Sequence, residues 1–300
     1  MNKLLAGLHR ERVARQTKAA RTHKLDSGAS IVIVEQHGSQ LGSSIWTSAL
    51  PFSSHIHRRL DLWTSRCKRV LELGAGCGTV GIAAALVPAD DSHAHGGCTT
   101  RTVVLTDKPE VCSHVHDNLA ANAAAIKAAG SRVCVCPLTW VGRPEEGQEE
   151  WTAVLEAAAA AAAAPDAGTA GVAAADGHAL LFDVVLASEC VYELKLLALL
   201  LVTAERAMGP AALLLLGFCR RGGALCPLQQ AETMMLERFE HAEAVVVIEL
   251  PGGGGAGGGA GGAGGAGGGG SGNAQGTSQG TDTTRCYIYS LRRRNQRASP

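Results

Sequence analysis

A single α/β domain, built on a mostly parallel Rossmann-like sheet with helices on both faces and an antiparallel hairpin at its end, is the fold this sequence predicts. Three observations carry that expectation. Apolar strand-like runs alternate with amphipathic segments through the chain, a glycine-rich turn joins one such run to a helix at residues 70–81, and the last two strand-like runs follow one another with no helix between them.

Taken in order, 29–35 is the first strand candidate, and Leu50, Ile56 and Leu60 outline a helix expected to end near Trp63. The alternation then runs strand 69–73, helix 79–87, strand 103–106, and helix 110–129 with Val111, Val115, Leu119, Asn122 and Ile126 on one stripe. Strands 132–136 and 180–187, helix 194–208, strand 211–218, helix 227–239 and strands 244–250 and 285–291 complete the pattern. Continuous apolar strands separated by helices imply a parallel sheet covered on both faces. The two final strands imply a hairpin whose turn has grown into a glycine tract.

The domain is expected over 25–295, preceded by a basic extension at 1–24 read as a helix capping the domain, or as an organelle-targeting segment. Three insertions interrupt it: 88–100, the alanine-rich 157–177, and a Gly-rich loop at 252–280 expected to be disordered. The alanine run forms a helix on propensity but offers no apolar stripe to dock.

Composition narrows the function classes. With 27 basic and 27 acidic residues, no overall field draws the protein to nucleic acid or to an anionic membrane. The longest apolar runs, 194–202 and 211–218, fall short of the ~18 residues of a membrane span. Ten cysteines with no CxxC pair read as buried thiols of a reducing, cytoplasmic or nuclear compartment. His93, His95 and Cys98 match no common zinc spacing, so no metal is expected.

The chemistry is concentrated at residues 70–107. Gly74, Gly76 and Gly78 end a strand and open a helix, where the backbone must turn sharply and let a ligand lie against it without a Cβ. Because residues 76–81 also satisfy GxGxxG, the glycines alone leave a dinucleotide and S-adenosyl-L-methionine both open. Two carboxylates favour the latter. Glu72, two residues before the first glycine, is suited to the amino group of a cationic cofactor, and Asp107, ending the next strand, is suited to two ribose hydroxyls.

Together with Ser44-Ile-Trp46, VLELGAGCGTVGIAAAL (70–86), LTDKPEVCSHVHDNLAAN (105–122), Pro137-Leu-Thr-Trp140 and FDVVLASECVYE (182–193), these motifs resemble the seven-strand, family-16 type protein-lysine methyltransferases, in particular the methyltransferase-like 21 group. The resemblance implies a seven-stranded methyltransferase sheet and S-adenosyl-L-methionine as cofactor. It further implies that Trp46 closes over the methionine end of the cofactor, Gly74, Ala75 and Gly76 support it, Asp107 binds its ribose, Trp140 flanks the adenine, and Ser188 touches it. It also implies a protein substrate such as a chaperone, an AAA ATPase or a translation factor, and a monomeric enzyme.

The family's Asp-x-x-Tyr substrate motif stands here as Glu189-Cys190-Val191-Tyr192, with the carboxylate one methylene longer. A lysine amine attacks a sulfonium methyl only when neutral, and a carboxylate with a phenol at the strand mouth orients it, so Glu189 and Tyr192 are the expected catalytic pair. The alternative for Glu189 is a capping role for the helix that follows. Asn118 and Asn122 are expected to meet loop backbone, and Arg220 and Arg221 to lie in a solvated loop. Three rival functions remain: transfer to histidine or a small molecule, a degenerate methyltransferase fold that only binds, and, more remotely, a dehydrogenase.

Overall fold

The computed structural model describes residues 18–36, 42–59, 62–63, 68–88, 101–163, 181–190, 192–219, 227–250 and 284–294. Two strands, β1 (Lys18–Lys24) and β2 (Ser30–Gln36), form an antiparallel hairpin ahead of the main sheet. There follow α1 (Ala49–Arg58), β3 (Arg69–Leu73), α2 (Thr79–Ala85), β4 (Arg101–Asp107), α3 (Pro109–Ala128), β5 (Ser131–Pro137) and α4 (Gln148–Ala163). The chain continues through β6 (Phe182–Ser188), α5 (Leu194–Ala207), β7 (Met208–Cys219), α6 (Leu228–Arg238), β8 (Phe239–His241), β9 (Val246–Leu250) and β10 (Thr284–Arg293).

The main sheet runs β5-β4-β3-β6-β7-β10-β8, with β9 also on β10; β5, β4, β3, β6 and β7 are parallel, and β10 is antiparallel to β7, β8 and β9. Taking β8 and β9 as one interrupted strand and counting from β3, the order is 3-2-1-4-5-7-6. That is the Rossmann-like methyltransferase sheet. Its direction of winding reverses between β3 and β6, and a doubly wound sheet binds ligands at the carboxyl ends of the strands flanking such a reversal.

Both faces of the sheet are covered. On one, Trp151 and Val154 of α4, Leu197, Leu200 and Leu201 of α5, and Ala231 and Met235 of α6 pack on Leu71, Val104, Val185 and Leu214. On the other, Phe52 and Ile56 of α1, Val80 and Ile82 of α2, Val111 and Val115 of α3, and Ile31 and Ile33 of the hairpin pack on Val70, Val103, Leu105 and Leu186. Burial on both sides explains why β3 and β4 read as unbroken apolar runs rather than alternating ones.

Several expectations are corrected. The basic segment is not a helix where it is described: Lys18–Lys24 is a strand, because β2 offers it a full antiparallel register from Gln36 to Ser30, and residues 1–17 lie outside the described residues. The alanine-rich helix does dock, since it starts upstream at Gln148 and carries Trp151, Val154 and Ala158 as its buried stripe. Helix α1 stops at Arg58, short of Trp63, and β8 is an additional short strand. Among the cysteines, Cys219 and Cys286 stand opposite each other on β7 and β10 and form a disulfide, which a reading of isolated thiols did not anticipate. The insertion residues 89–100, 164–180 and 251–283, with the His93, His95 and Cys98 group, lie outside the described residues, as do Arg220 and Arg221.

Candidate active site

The turn from β3 to α2 is built from left-handed backbone. Gly74, Gly76 and Gly78 have φ of 67°, 55° and 71°, and only glycine adopts that region without a steric cost of ~1–2 kcal/mol. Space adds to conformation at Gly74. A Cβ there would stand 2.7 Å from Cys190 Sγ and 2.9 Å from Trp140 Cζ2, so the loop, the end of β6 and the segment after β5 converge on this glycine. The turn is held by Ala75 N–H donating to Thr106 O at 2.9 Å and Gly78 N–H donating to Ala75 O at 2.7 Å.

Glu72 lies beneath the turn. Its carboxylate is 2% exposed, and Oε2 accepts the Gly81 amide hydrogen at 3.0 Å in the first turn of α2. Burial pushes its pKa up to about 8, against the lowering effect of the Gly81 amide and with a smaller push from Asp107. Burial thus favours the protonated form, and the group braces the loop from within through Gly81. A side chain at Gly81 would meet Leu105 Cδ2 at 2.1 Å and Glu72 Oε2 at 2.5 Å, so the last glycine of the GxGxxG pattern serves this packing.

Asp107 ends β4, the strand beside β3, at the same carboxyl edge. Its Oδ2 accepts the Gly76 amide hydrogen at 2.8 Å and its Oδ1 that of Lys108 at 2.7 Å, which pins the carboxylate beside the glycine loop. Burial raises its pKa, and the two amide donors and the Lys108 charge oppose the rise. The next strand contributes from the same edge: Leu138 N–H donates to Asp107 O at 2.9 Å, and Trp140, partly buried, lies against Gly74.

Residues 42–48 arch over this edge. At one end Gly42 packs on Gly76, 3.3 Å from where a Cβ would sit, and its carbonyl takes a hydrogen bond from Cys77 Sγ. At the other, Ser48 N–H donates to Glu189 Oε1 at 2.9 Å, and Ser48 Oγ lies 3.3 Å from Ser188 Oγ. Between them is Trp46, 39% exposed. Glu189 has φ 56°, the one positive value outside glycine among the described residues. Its carboxylate accepts the Ser48 amide at the entry to α1, and at the helix after β6 Glu193 is the N-cap and makes no side-chain cap bond. Tyr192 is 44% exposed, with its pKa raised by partial burial and then by Cys190, Glu193 and Asp107.

The structure thus gathers Trp46, Gly74, Ala75, Gly76, Asp107, Trp140, Ser188, Glu189 and Tyr192 at the carboxyl edge around the β3/β6 reversal, and places Glu72 just below it. Cys190, expected only as a buried thiol, joins them, as do Gly42 and Ser48. Only the run FDVVLASECVYE gave a signal for Cys190; Gly42 and Ser48 owe their places to contacts across more than thirty residues of chain. Asn118 and Asn122 do meet backbone, but that of strand β2 and of Cys77 rather than a loop alone. Among the described residues no group of three His, Cys, Asp or Glu side chains could hold a metal, and no helix is long and apolar enough to cross a membrane.

The fold and the site define a class I methyltransferase architecture. Residues 25–158 match the family described as lysine methyltransferase, which bears out over that stretch the resemblance carried by the motifs. An EEF1A lysine methyltransferase 3 of Mus musculus is 34% identical over 116 residues, covering 38% of this chain and 42% of that protein. The Xenopus tropicalis protein of the same name is 30% identical over 144 residues, 47% of this chain and 56% of its own. Protein-lysine N-methyltransferase rrg1 of Schizosaccharomyces pombe is 31% identical over 144 residues, 45% and 43%. The chain therefore spans about half the length of these relatives.

Proposed function

We propose that this protein is an S-adenosyl-L-methionine-dependent protein N-methyltransferase acting on a lysine side chain. The observation that carries the reading is the meeting, at one edge of the sheet, of a glycine turn with no room for side chains, a pinned carboxylate at Asp107, and a mouth formed by Trp46, Glu189 and Tyr192.

The residues present fit the cofactor. Glycine at 74 and 76 lets Trp140, Cys190 and Gly42 close on the turn, Asp107 beside it would accept the ribose hydroxyls, and Trp140 against Gly74 would flank the adenine, with the exposed Trp46 left to close over the methionine end. When bound, the cofactor supplies a methyl group on a sulfonium. The protein's part is to bring a neutral amine in line with it. A lysine has an unperturbed pKa near ~10.4, so entry into a partly desolvated mouth favours the neutral form. The Glu189 carboxylate orients the arriving ammonium, whose proton then passes to solvent at the exposed mouth before the neutral amine attacks. The Tyr192 hydroxyl, its pKa raised, stays protonated at neutral pH and acts as an orienting group and ring wall rather than a base.

The relatives' names point to translation elongation factor 1A as the first protein substrate to try, ahead of chaperones and AAA ATPases. The buried free thiols at Cys77, Cys136 and Cys190 support a cytoplasmic site of action, and the Cys219–Cys286 disulfide counts the other way. Incubation with methyl-labelled cofactor and a cell lysate, followed by acid hydrolysis, tests the function. Label in methyl-lysine is expected; label confined to small solutes or to methyl-histidine would overturn the proposal.

A further inference from the structure

Among the described residues, the edge of strand β2 away from β1 is bonded not by another strand but by two side chains of α3. Asn122 Oδ1 accepts from Val32 N–H at 2.9 Å while its Nδ2 donates to Val32 O at 2.6 Å, and Asn118 Oδ1 accepts from Val34 N–H at 2.6 Å. The two amides imitate the ladder of a missing neighbour, and both are buried. Asn118 does something Asn122 does not. Its Nδ2 donates to Cys77 O at 2.9 Å, inside the glycine loop.

One residue along β2, Glu35 is 6% exposed, and its Oε1 accepts the Ile45 amide hydrogen at 2.9 Å, next to Trp46. Gln36 N–H donates to Ser43 O at 2.8 Å in the same segment. A continuous line of buried and partly buried hydrogen bonds and covalent backbone therefore runs from Cys77 in the floor, through Asn118, Val34 and Glu35, to Ile45 and Trp46 in the arch. Every group on it is fixed by a partner of opposite role, which is what makes such a line rigid.

We propose that Asn118 and Glu35 are positioning residues that lock the glycine loop and the Trp46 arch to each other through β2, so that neither side of the cofactor crevice holds its shape alone. The proposal rests on the cofactor reading above for its purpose, but not for its test. Neither residue touches reacting atoms; each acts through the backbone it holds.

Hydrogen exchange on the cofactor-free protein decides it. In Glu35→Ala the altered side chain lies in the arch, yet amide exchange across 74–79 is expected to quicken by roughly tenfold, the scale of one lost buried hydrogen bond. Glu35→Gln keeps an acceptor for Ile45 and should restore the wild-type rate. Asn118→Asp keeps the acceptor for Val34 but loses the donor to Cys77, and should quicken exchange at 43–48. Asn122→Ala loosens the hairpin at Val32, two residues short of the line, and should lower the melting temperature while quickening exchange at 74–79 less than Glu35→Ala does. Unchanged loop exchange in Glu35→Ala, or equal quickening in Asn122→Ala, would overturn the proposal. Calorimetry with S-adenosylhomocysteine then reads the consequence: Glu35→Ala and Asn118→Asp should each weaken binding about tenfold, and the double variant little further. A wild type that binds none would remove the cofactor reading and leave the exchange result to stand on its own.

Discussion

Glu189 reaches across 141 residues of chain to accept the Ser48 amide hydrogen, so the strand that presents the substrate motif is tied directly to the start of the helix beyond Trp46. The shorter aspartate of the related motif has one methylene less to make that span. The backbone of Glu189, at φ 56°, is held left-handed to do it.

Substitution at Glu189 should therefore separate two effects. Glu189→Ala loses the tie and keeps the strained backbone, and urea unfolding should show a loss of about 1–3 kcal/mol. Glu189→Gly loses the tie but relieves the strain, and should be about 1 kcal/mol more stable than the alanine variant. Equal stability of the two would argue against strain at this position.

The proton on Glu72 gives a pH signature. The folded protein holds it up to about pH 8, whereas the unfolded chain releases it near 4.5. Between those values the folded state binds more protons, so this group's contribution to stability is full below the lower value and fades as pH rises through the upper one. Denaturation curves from acid to pH 8 should show wild type losing stability relative to Glu72→Gln, which keeps an acceptor for Gly81 and has nothing to ionise. A constant difference between the two across that range would contradict a neutral Glu72.

At Gly74, a methyl group meets Cys190 and Trp140 and also forces a left-handed alanine. Gly74→Ala should cost about 2–4 kcal/mol by strain and overpacking combined and weaken S-adenosylhomocysteine at least about tenfold in calorimetry. Binding at wild-type strength would show that the ligand does not lie against this turn.

The Cys219–Cys286 disulfide closes a separation of 67 residues, for which chain entropy gives a stabilisation of up to about 4 kcal/mol. Thermal unfolding of the wild type should fall on reduction to that of a Cys219→Ser, Cys286→Ser double variant, which itself should ignore reductant. A wild type equally indifferent to reductant would mean that the bond contributes nothing.

Local features of the sequence were the ones that could be read from it. The glycine turn, Asp107 and the parallel strands announce themselves within a few residues, because turn geometry and two-sided burial act locally on composition. Asn118, Asn122 and Glu35 gave no comparable sign: the asparagines' partners on β2 lie 84 and 90 residues away, and helix spacing says only which face they share. Glu72 was legible as a carboxylate in the right motif but not in its aim, since a strand residue points to one face or the other and the side chosen here is the one where Gly81 leaves room. The cysteine pair depends on the register of β7 against β10, which nothing local specifies. Lys18–Lys24 hid its strand for a related reason, being a short polar edge with little to bury.

That hairpin has one more consequence. A lone two-stranded ribbon exposes a row of unpaired amides and carbonyls along each side, an invitation to stack against another copy. On β2 the Asn118 and Asn122 amides occupy part of that row, and on β1 Lys18, Arg21 and Lys24 recur along a short strand whose described side chains are mostly exposed. The same asparagines that fasten the ribbon to the domain thus fill backbone groups that another copy could pair with, and a variant lacking both should scatter more light than the wild type at equal concentration.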